Sequence, residues 1–388
     1  MPSSDDSSGE LTSGTGRAAA QPPRASGPPE AGPDPVHQQS QEALHEAEEA
    51  VVAGGIGARF RALLGLDSPD FSWTKVLAKQ GILLAFVIAM VGFSLASDRF
   101  LSFDNFSSVL RQSSIIGIMA LGVTIVVISG NLDLSVGSML SFATILVVDL
   151  HDKIGPAPAM AVALVAALAC GAINGTLVGV LRLNSLIVTL GMLSAIQGFT
   201  LIYSGGQNAD ITNQSDTWFA FFGRGEIAGI AVPILLFLGL AIILEWVLHG
   251  TTFGRRVFAI GSKASAAEYS GINRVKTVFV SYLISAFCVW CAAVVMGSRV
   301  MGSQNTVGKG YELLVLAAII VGGASLLGGS GKISKTVIGV LLLGFIQNGL
   351  LLLGFSYWTQ WLVTWVVIIV AVWLDVGARR GRLLSPYA

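Results

Sequence analysis

Residues 336–374 run for 39 positions without one charged side chain. A helix needs roughly 20 apolar residues to cross the hydrocarbon core of a bilayer. The run is therefore too long for one crossing, and the polar Ser356-Tyr357-Trp358-Thr359-Gln360 divides it into two. Similar uncharged runs recur from Gly81 onward. The composition agrees: 53% of the 388 residues are hydrophobic and 12% are charged, against about 25% charged in soluble domains. Mean hydropathy is +0.72. Such a body cannot carry a water-facing surface of ordinary charge density, so the chain reads as an all-α polytopic membrane protein.

Ten spans are expected, near 81–97, 113–129, 134–150, 157–181, 185–204, 229–248, 276–298, 312–329, 335–354 and 358–376. The span at 134–150 is the shortest reach, because it follows a polar, Gly-bearing turn. Lysine and arginine near the spans set the orientation. With the N-terminus inside, fifteen of them face inward, among them Arg182, Arg255, Arg256, Lys332 and Lys335. Six face outward: Arg99, Arg111, Lys153, Arg224, Arg299 and Lys309. That asymmetry predicts both termini in the cytoplasm.

The formal net charge of zero sums an acidic head and a basic body: residues 1–80 hold eleven acidic and six basic side chains. Residues 1–55 are rich in Pro, Ser and Gly, a composition that cannot bury enough apolar surface to offset chain entropy, and are expected to be disordered. Residues 56–80 mix aromatic and basic residues, as an interfacial segment does. The membrane-spanning body covers 81–378, with a cytoplasmic tail at 379–388. No basic face suggests a nucleic-acid partner.

No enzyme is evident. The four histidines are His37, His45, His151 and His249, in the head or at span ends. Cys288-Val-Trp-Cys291 lies mid-span without a second ligand pair, so it reads as packing rather than a zinc or redox site. No Asp, Glu, Lys, Arg or His falls near the centre of a span, which lowers the case for an ion-coupled carrier. Glycine is abundant, at 46 residues. Gly171-x3-Gly175-x3-Gly179 places three on one helix face, the usual device for close helix packing in lipid.

Two polar segments stand out. Gly130-Asn131-Leu132-Asp133-Leu134-Ser135-Val136-Gly137 sits between the second and third spans. Asn131, Asp133 or Ser135 reads as a cap for the next helix, or the segment as a broken-helix element lining a polar path. The longest inner loop, 249–275, holds Ser265-x-x-Glu268, a capping-box spacing, with Gly271 as a stop. A short helix on the inner surface is expected there, with Ala266 and Ala267 as a small face for close packing.

Taken together, GNLDLSVG (130–137), AINGTLVGVLRLNSLIVTLG (172–191), FGRRVFAIGSKASAAEYSGI (253–272), GGASLLGGSGKISK (322–335) and Gln347-Asn348-Gly349 resemble the permease subunits of bacterial ABC importers for monosaccharides. That group is related to the branched-chain amino acid permeases. The resemblance covers about residues 80–378. It implies a homodimer in the bacterial cell membrane, a cytoplasmic ATPase with two nucleotide-binding cassettes, and an extracytoplasmic sugar-binding protein. It also implies that Ala264, Ser265, Ala266, Ala267, Glu268, Tyr269, Ser270 and Gly271 form the coupling helix toward the ATPase. No G-x4-G-K-[ST] motif is present, so this chain is expected to bind no ATP and no other cofactor.

Ile173-Asn174-Gly175 and Ile346-Gln347-Asn348-Gly349 echo each other on helices of opposite direction, as an inverted repeat would. The candidate translocation path is drawn from Asn131, Asp133, Ser135, Asn174 and Asn348. A permease for a branched-chain amino acid or another small neutral solute is the alternative within the class, and an ion-coupled secondary carrier the alternative outside it.

Overall fold

The computed structural model describes residues 86–212 and 217–356, and beyond them 358–360, 362, 363, 365, 366 and 369. The acidic head (1–55), the interfacial segment (56–80), the tail (379–388) and most of the last expected span lie outside the described residues.

The described chain is helical, with two small two-stranded ribbons. In order, the main helices are α1 (Phe86–Ala96), α2 (Phe103–Ile128), α3 (Val136–Ile154), α4 (Pro156–Gly179), α5 (Ser185–Ser204), α6 (Val232–Gly250), α7 (Thr252–Ser262), α8 (Ala264–Tyr269), α9 (Arg274–Val300), α10 (Tyr311–Val321) and α11 (Ile333–Leu352), with short helical turns at Trp218–Ala220 and Phe221–Arg224 between α5 and α6. The ribbons pair Ala209–Asp210 with Gly302–Ser303 and Glu226–Ile227 with Ile230–Ala231.

Local chemistry explains the starts. The Asn184 side chain accepts from the backbone N–H groups of Leu186 and Ile187 at the head of α5, and Asn273 accepts from Lys276 at the head of α9. Each supplies an acceptor for donors the first helical turn leaves unpaired. Pro156 opens α4 where a missing N–H is harmless.

Among the described residues, six helices are long and apolar enough to cross a membrane: α2, α4, α5, α6, α9 and α11. Their outward faces carry exposed Ile187, Ile202 and Ile242, which lipid solvates and water would not. Three expected spans differ from the sequence reading. The 113–129 span is α2, which starts ten residues earlier, at Phe103. The 134–150 span is α3, shifted to 136–154, with Asp149, Asp152 and Lys153 in its last two turns. The span expected at 312–329 is a helix of only 11 residues, α10. It stops at Gly322-Gly323, where Gly323 takes φ +81, a conformation L-residues rarely adopt. Ser325 N–H then bonds to the Ser330 carbonyl across a loop. The apolar letters of 322–328 hid a turn because hydropathy carries no backbone information.

α2 and α9 form the centre. Ile118–Ile128 of α2 is buried throughout, and α9 packs along α4, α2 and α3. The α4–α9 contact is the glycine face expected from the sequence. A Cβ on Gly171 would meet Ala286 and the Tyr282 carbonyl, one on Gly175 would meet Phe279, and one on Gly179 would meet the Val275 carbonyl. Lipid gives helices no hydrophobic drive to associate, so close backbone approach supplies dispersion contact instead. Cys170, Cys288 and Cys291 are all free and buried, with Cys288 against Gly122, as packing residues would be.

Candidate functional site

The GNLDLSVG segment breaks the chain between α2 and α3. Residues 131–134 are non-helical, yet Asn131, Asp133, Leu134 and Ser135 are buried. Non-helical backbone survives at membrane depth only when protein satisfies it. Here it does. Leu132 N–H donates to Ser185 Oγ at 3.1 Å, and Tyr282 OH donates to the Leu132 carbonyl at 2.8 Å.

Asp133 is the hub. Its Oδ1 accepts from the Ser135 N–H at 3.1 Å and the Ser135 hydroxyl at 2.6 Å. Its Oδ2 accepts from Ser285 Oγ of α9 at 3.0 Å. Ser135 Oγ in turn accepts from Asn174 Nδ2 of α4 at 2.8 Å. Ser285 is the twelfth residue of α9, about 16 Å along it at ~1.5 Å per residue, so the cluster is well inside the bundle. The capping reading is thereby replaced. Ser135 is the N-cap residue of α3 but makes no side-chain cap bond, and Asn131 turns back onto Ser129. The side chains tie the break to α4 and α9 instead.

Asn131, Asp133, Ser135 and Asn174 therefore share one locus. Asn348 does not. It lies on α11 and makes a reciprocal amide pair with Asn105 of α2, 2.9 Å in both directions. Sequence reading missed Ser285, Tyr282 and Ser185. A signal existed for the first: Thr277, Ser281 and Ser285 recur every four residues and are all buried in α9. Among the described residues, one buried side-chain polar atom has no partner, Asn174 Oδ1. An unmet acceptor of that kind costs about 1–3 kcal/mol.

A second feature joins the break to the inner loop. Gly130 (φ +80), Gly261 at the end of α7, and Gly328 and Gly329 between α10 and α11 meet backbone to backbone. Gly329 N–H donates to the Ile128 carbonyl at 2.9 Å. A Cβ on Gly261 would strike that same carbonyl, and one on Gly328 would sit 2.6 Å from Gly130 Cα. Only glycine permits this junction.

The inner loop itself folds as α7 and α8. Gly271 (φ +79) ends the α8 turn, as its sequence position suggests. The capping box does not form, because the helix begins at Ala264 and leaves Ser265 inside its first turn. The Glu268 carboxylate instead pairs with Arg182 at 3.3 Å. The two alanines also divide: Ala267 is buried against the bundle, while Ser265, Ala266 and Ser270 face out beside Tyr269, which is 93% exposed.

Residues 105–372 match the family model described as branched-chain amino acid transport system / permease component. The chain is 36% identical over 303 residues to the ribose import permease protein of Escherichia coli (strain K12), covering 77% of this chain and 94% of that one. It is 37% identical over 303 residues to the ribose import permease protein of Bacillus subtilis (strain 168), at 77% and 93% coverage. It is 32% identical over 321 residues to the L-arabinose transport system permease protein of Escherichia coli (strain K12), at 82% and 96%. No solved structure matches.

Proposed function

The chain belongs to the family of branched-chain amino acid transport system permease components, and we propose that within it this protein is the membrane subunit of an ATP-driven monosaccharide importer. The observation that carries this reading is the near-complete coverage of ribose and arabinose permeases by residues of this chain. In this reading the protein sits in the bacterial cell membrane with both termini inside and ten spans, and works as a homodimer. ATP is hydrolysed by a two-cassette partner on the cytoplasmic side, and an extracytoplasmic binding protein delivers the sugar.

The geometry supports a division of labour. The outward face of α8, with Ala266 and Tyr269, is the contact offered to the ATPase, a helix-in-groove mode. The glycine junction carries displacement of α7 to the α2–α3 break, since coupling needs a rigid element that both sites bias. Asn131, Asp133, Ser135 and Asn174 then shape the polar path, with Asn174 Oδ1 left able to accept from a passing hydroxyl. Import of a branched-chain amino acid is the second reading. A zwitterion would call for a charge pair, whereas Asp133, the one buried carboxylate among the described residues, is already engaged by Ser135 and Ser285.

The test is Ala266→Trp in the full chain, co-expressed with its ATPase. The expected outcome is normal membrane insertion with loss of ATPase co-purification and of sugar uptake. Ile227→Trp, exposed on another part of the surface, should preserve both. Retention of both by Ala266→Trp removes the docking role of α8. Uptake that stops when the proton gradient is collapsed while ATP is intact removes the ATP-driven reading itself.

A further inference from the structure

Beside the N-terminal half of α2, a cavity opens between α2, α10 and α11, with about 60 Å³ of room for the centres of water-sized molecules. Small-molecule sites are largely apolar, with a few placed polar groups. Its wall from α2 is the stripe Val109, Gln112, Ser113 and Ile116, one face of a helix by spacing. Gln347 and Asn348 of α11 face it, and Gln360 closes one side.

Three properties are informative. First, the polar lining is neutral: four amides and one hydroxyl, with no charged side chain. Arg111, adjacent in sequence to Gln112, is instead paired with Glu226 at 2.9 Å. A phospholipid headgroup would call for a cation at its phosphate, and none lines the cavity. Second, one amide is held in place. Asn105 pairs reciprocally with Asn348 and also donates to the Phe100 carbonyl at 2.8 Å, which fixes the Asn348 orientation. Third, the floor is a close approach, because a Cβ on Gly344 would strike Ser113 Oγ. Leu314, Leu343 and Leu351 complete the wall as apolar surface. Amides both donate and accept, so neutral amides beside aliphatic wall match a molecule with a ring of hydroxyls and an apolar C–H face.

We propose that this cavity is a binding subsite for a neutral monosaccharide, with Gln112, Gln347 and Asn348 as its hydrogen-bonding groups. The inference rests on the importer reading and adds to it a position in the permease where the sugar is held.

The experiment uses the full chain with its ATPase and binding protein, and radiolabelled D-ribose and L-arabinose as probes. Wild type is measured first; transport of neither sugar rejects the importer reading and the subsite with it. With the transported sugar saturating, Gln347→Leu should lower uptake about tenfold while the variant still inserts and co-purifies with its ATPase. A misfolded variant would lose insertion and assembly as well. The second readout does not depend on the ATPase. Gln112 is exposed, and the native Cys170, Cys288 and Cys291 are buried, so Gln112→Cys gives a selective target for a maleimide. The transported sugar should slow its labelling at least threefold, and the mirror-image sugar should not. Labelling indifferent to the sugar, or spontaneous disulfide cross-linking of Cys-substituted position 112 between two copies, overturns the subsite, the latter by assigning the face to self-association. Either result leaves the importer reading standing.

Discussion

Two polar regions flank the same helix, α2, and they are built on opposite rules. The break on one side holds a carboxylate and uses nearly all its hydrogen-bonding capacity internally: three donors converge on Asp133, and Leu132 is bonded through both backbone groups. The cavity beside the first half of α2 is lined only by neutral polar groups, four amides and one hydroxyl, beside aliphatic wall. Buried polar groups stabilise a fold when their partners come from the fold itself. The acid sits where the chain is packed shut, and the neutral groups line a space between helices.

The largest expected effect breaks the closed side. Asp133→Leu strands the Ser135 N–H, the Ser135 hydroxyl and the Ser285 hydroxyl at about 1–3 kcal/mol each. Monodisperse protein recovered after detergent extraction should fall at least tenfold. Asp133→Asn keeps an acceptor and should retain a third or more of wild-type uptake. If it is as inactive as the leucine variant, the charge itself matters, and the closed region is not merely a lock.

Next in size is the glycine junction beneath the break. Gly328→Ala places a side chain at φ +85 and against Gly130; the left-handed backbone alone costs about 1–2 kcal/mol. A melting temperature lower by about 5 °C is expected. Gly92→Ala, with open space around it, should shift it by less than a degree. Equal shifts would show that the junction is not tight.

A smaller pair sharpens the contrast between the sides. Ser285→Ala removes one of three donors and should cost ~1–2 kcal/mol of stability, with transport reduced only in proportion to folded protein. Gln112→Ala, at an exposed position of the cavity wall, should do the reverse, lowering uptake severalfold at nearly wild-type melting temperature. The same loss profile in both variants would erase the distinction. Smallest of all is Arg182→Ala, which deletes an exposed pair with Glu268 and should alter stability by no more than ~0.5 kcal/mol.

Much of this organisation is legible in the letters. Charge-free runs mark α4, α5, α6, α9 and α11, and the ends of α5 fall where Asn184 and Gly205 place them. Two glycines around Asn, Asp and Ser disclose the break. The C-terminal end of α10 was not legible, because Gly322 and Gly323 lie in an apolar run whose hydropathy continues through the turn. Nor were the partners of the break. Asp133 and Ser285 are 152 positions apart, and Asn105 and Asn348 are 243 apart. Pairings of that length are set by how helices stack, which a single sequence does not print. The outward face of α8 also needed the structure, since Ala266 and Ala267 are the same letter facing opposite ways.

The distance from Asp133 to Ser285 has a further consequence, in time. Chains are made at about 5–20 residues per second. Ser135 follows Asp133 within a fraction of a second, but Ser285, 152 positions downstream, emerges roughly 8–30 s later at that pace. Gly261 and Gly328, which close the junction under the break, are also made long after Gly130. During synthesis the carboxylate therefore waits with only its neighbouring serine and whatever water or translocation machinery surrounds it. The interior is sealed late, when the ninth helix is delivered, and a nascent chain stopped before Arg274 should leave a cysteine at position 133 open to a small thiol reagent that the finished protein excludes.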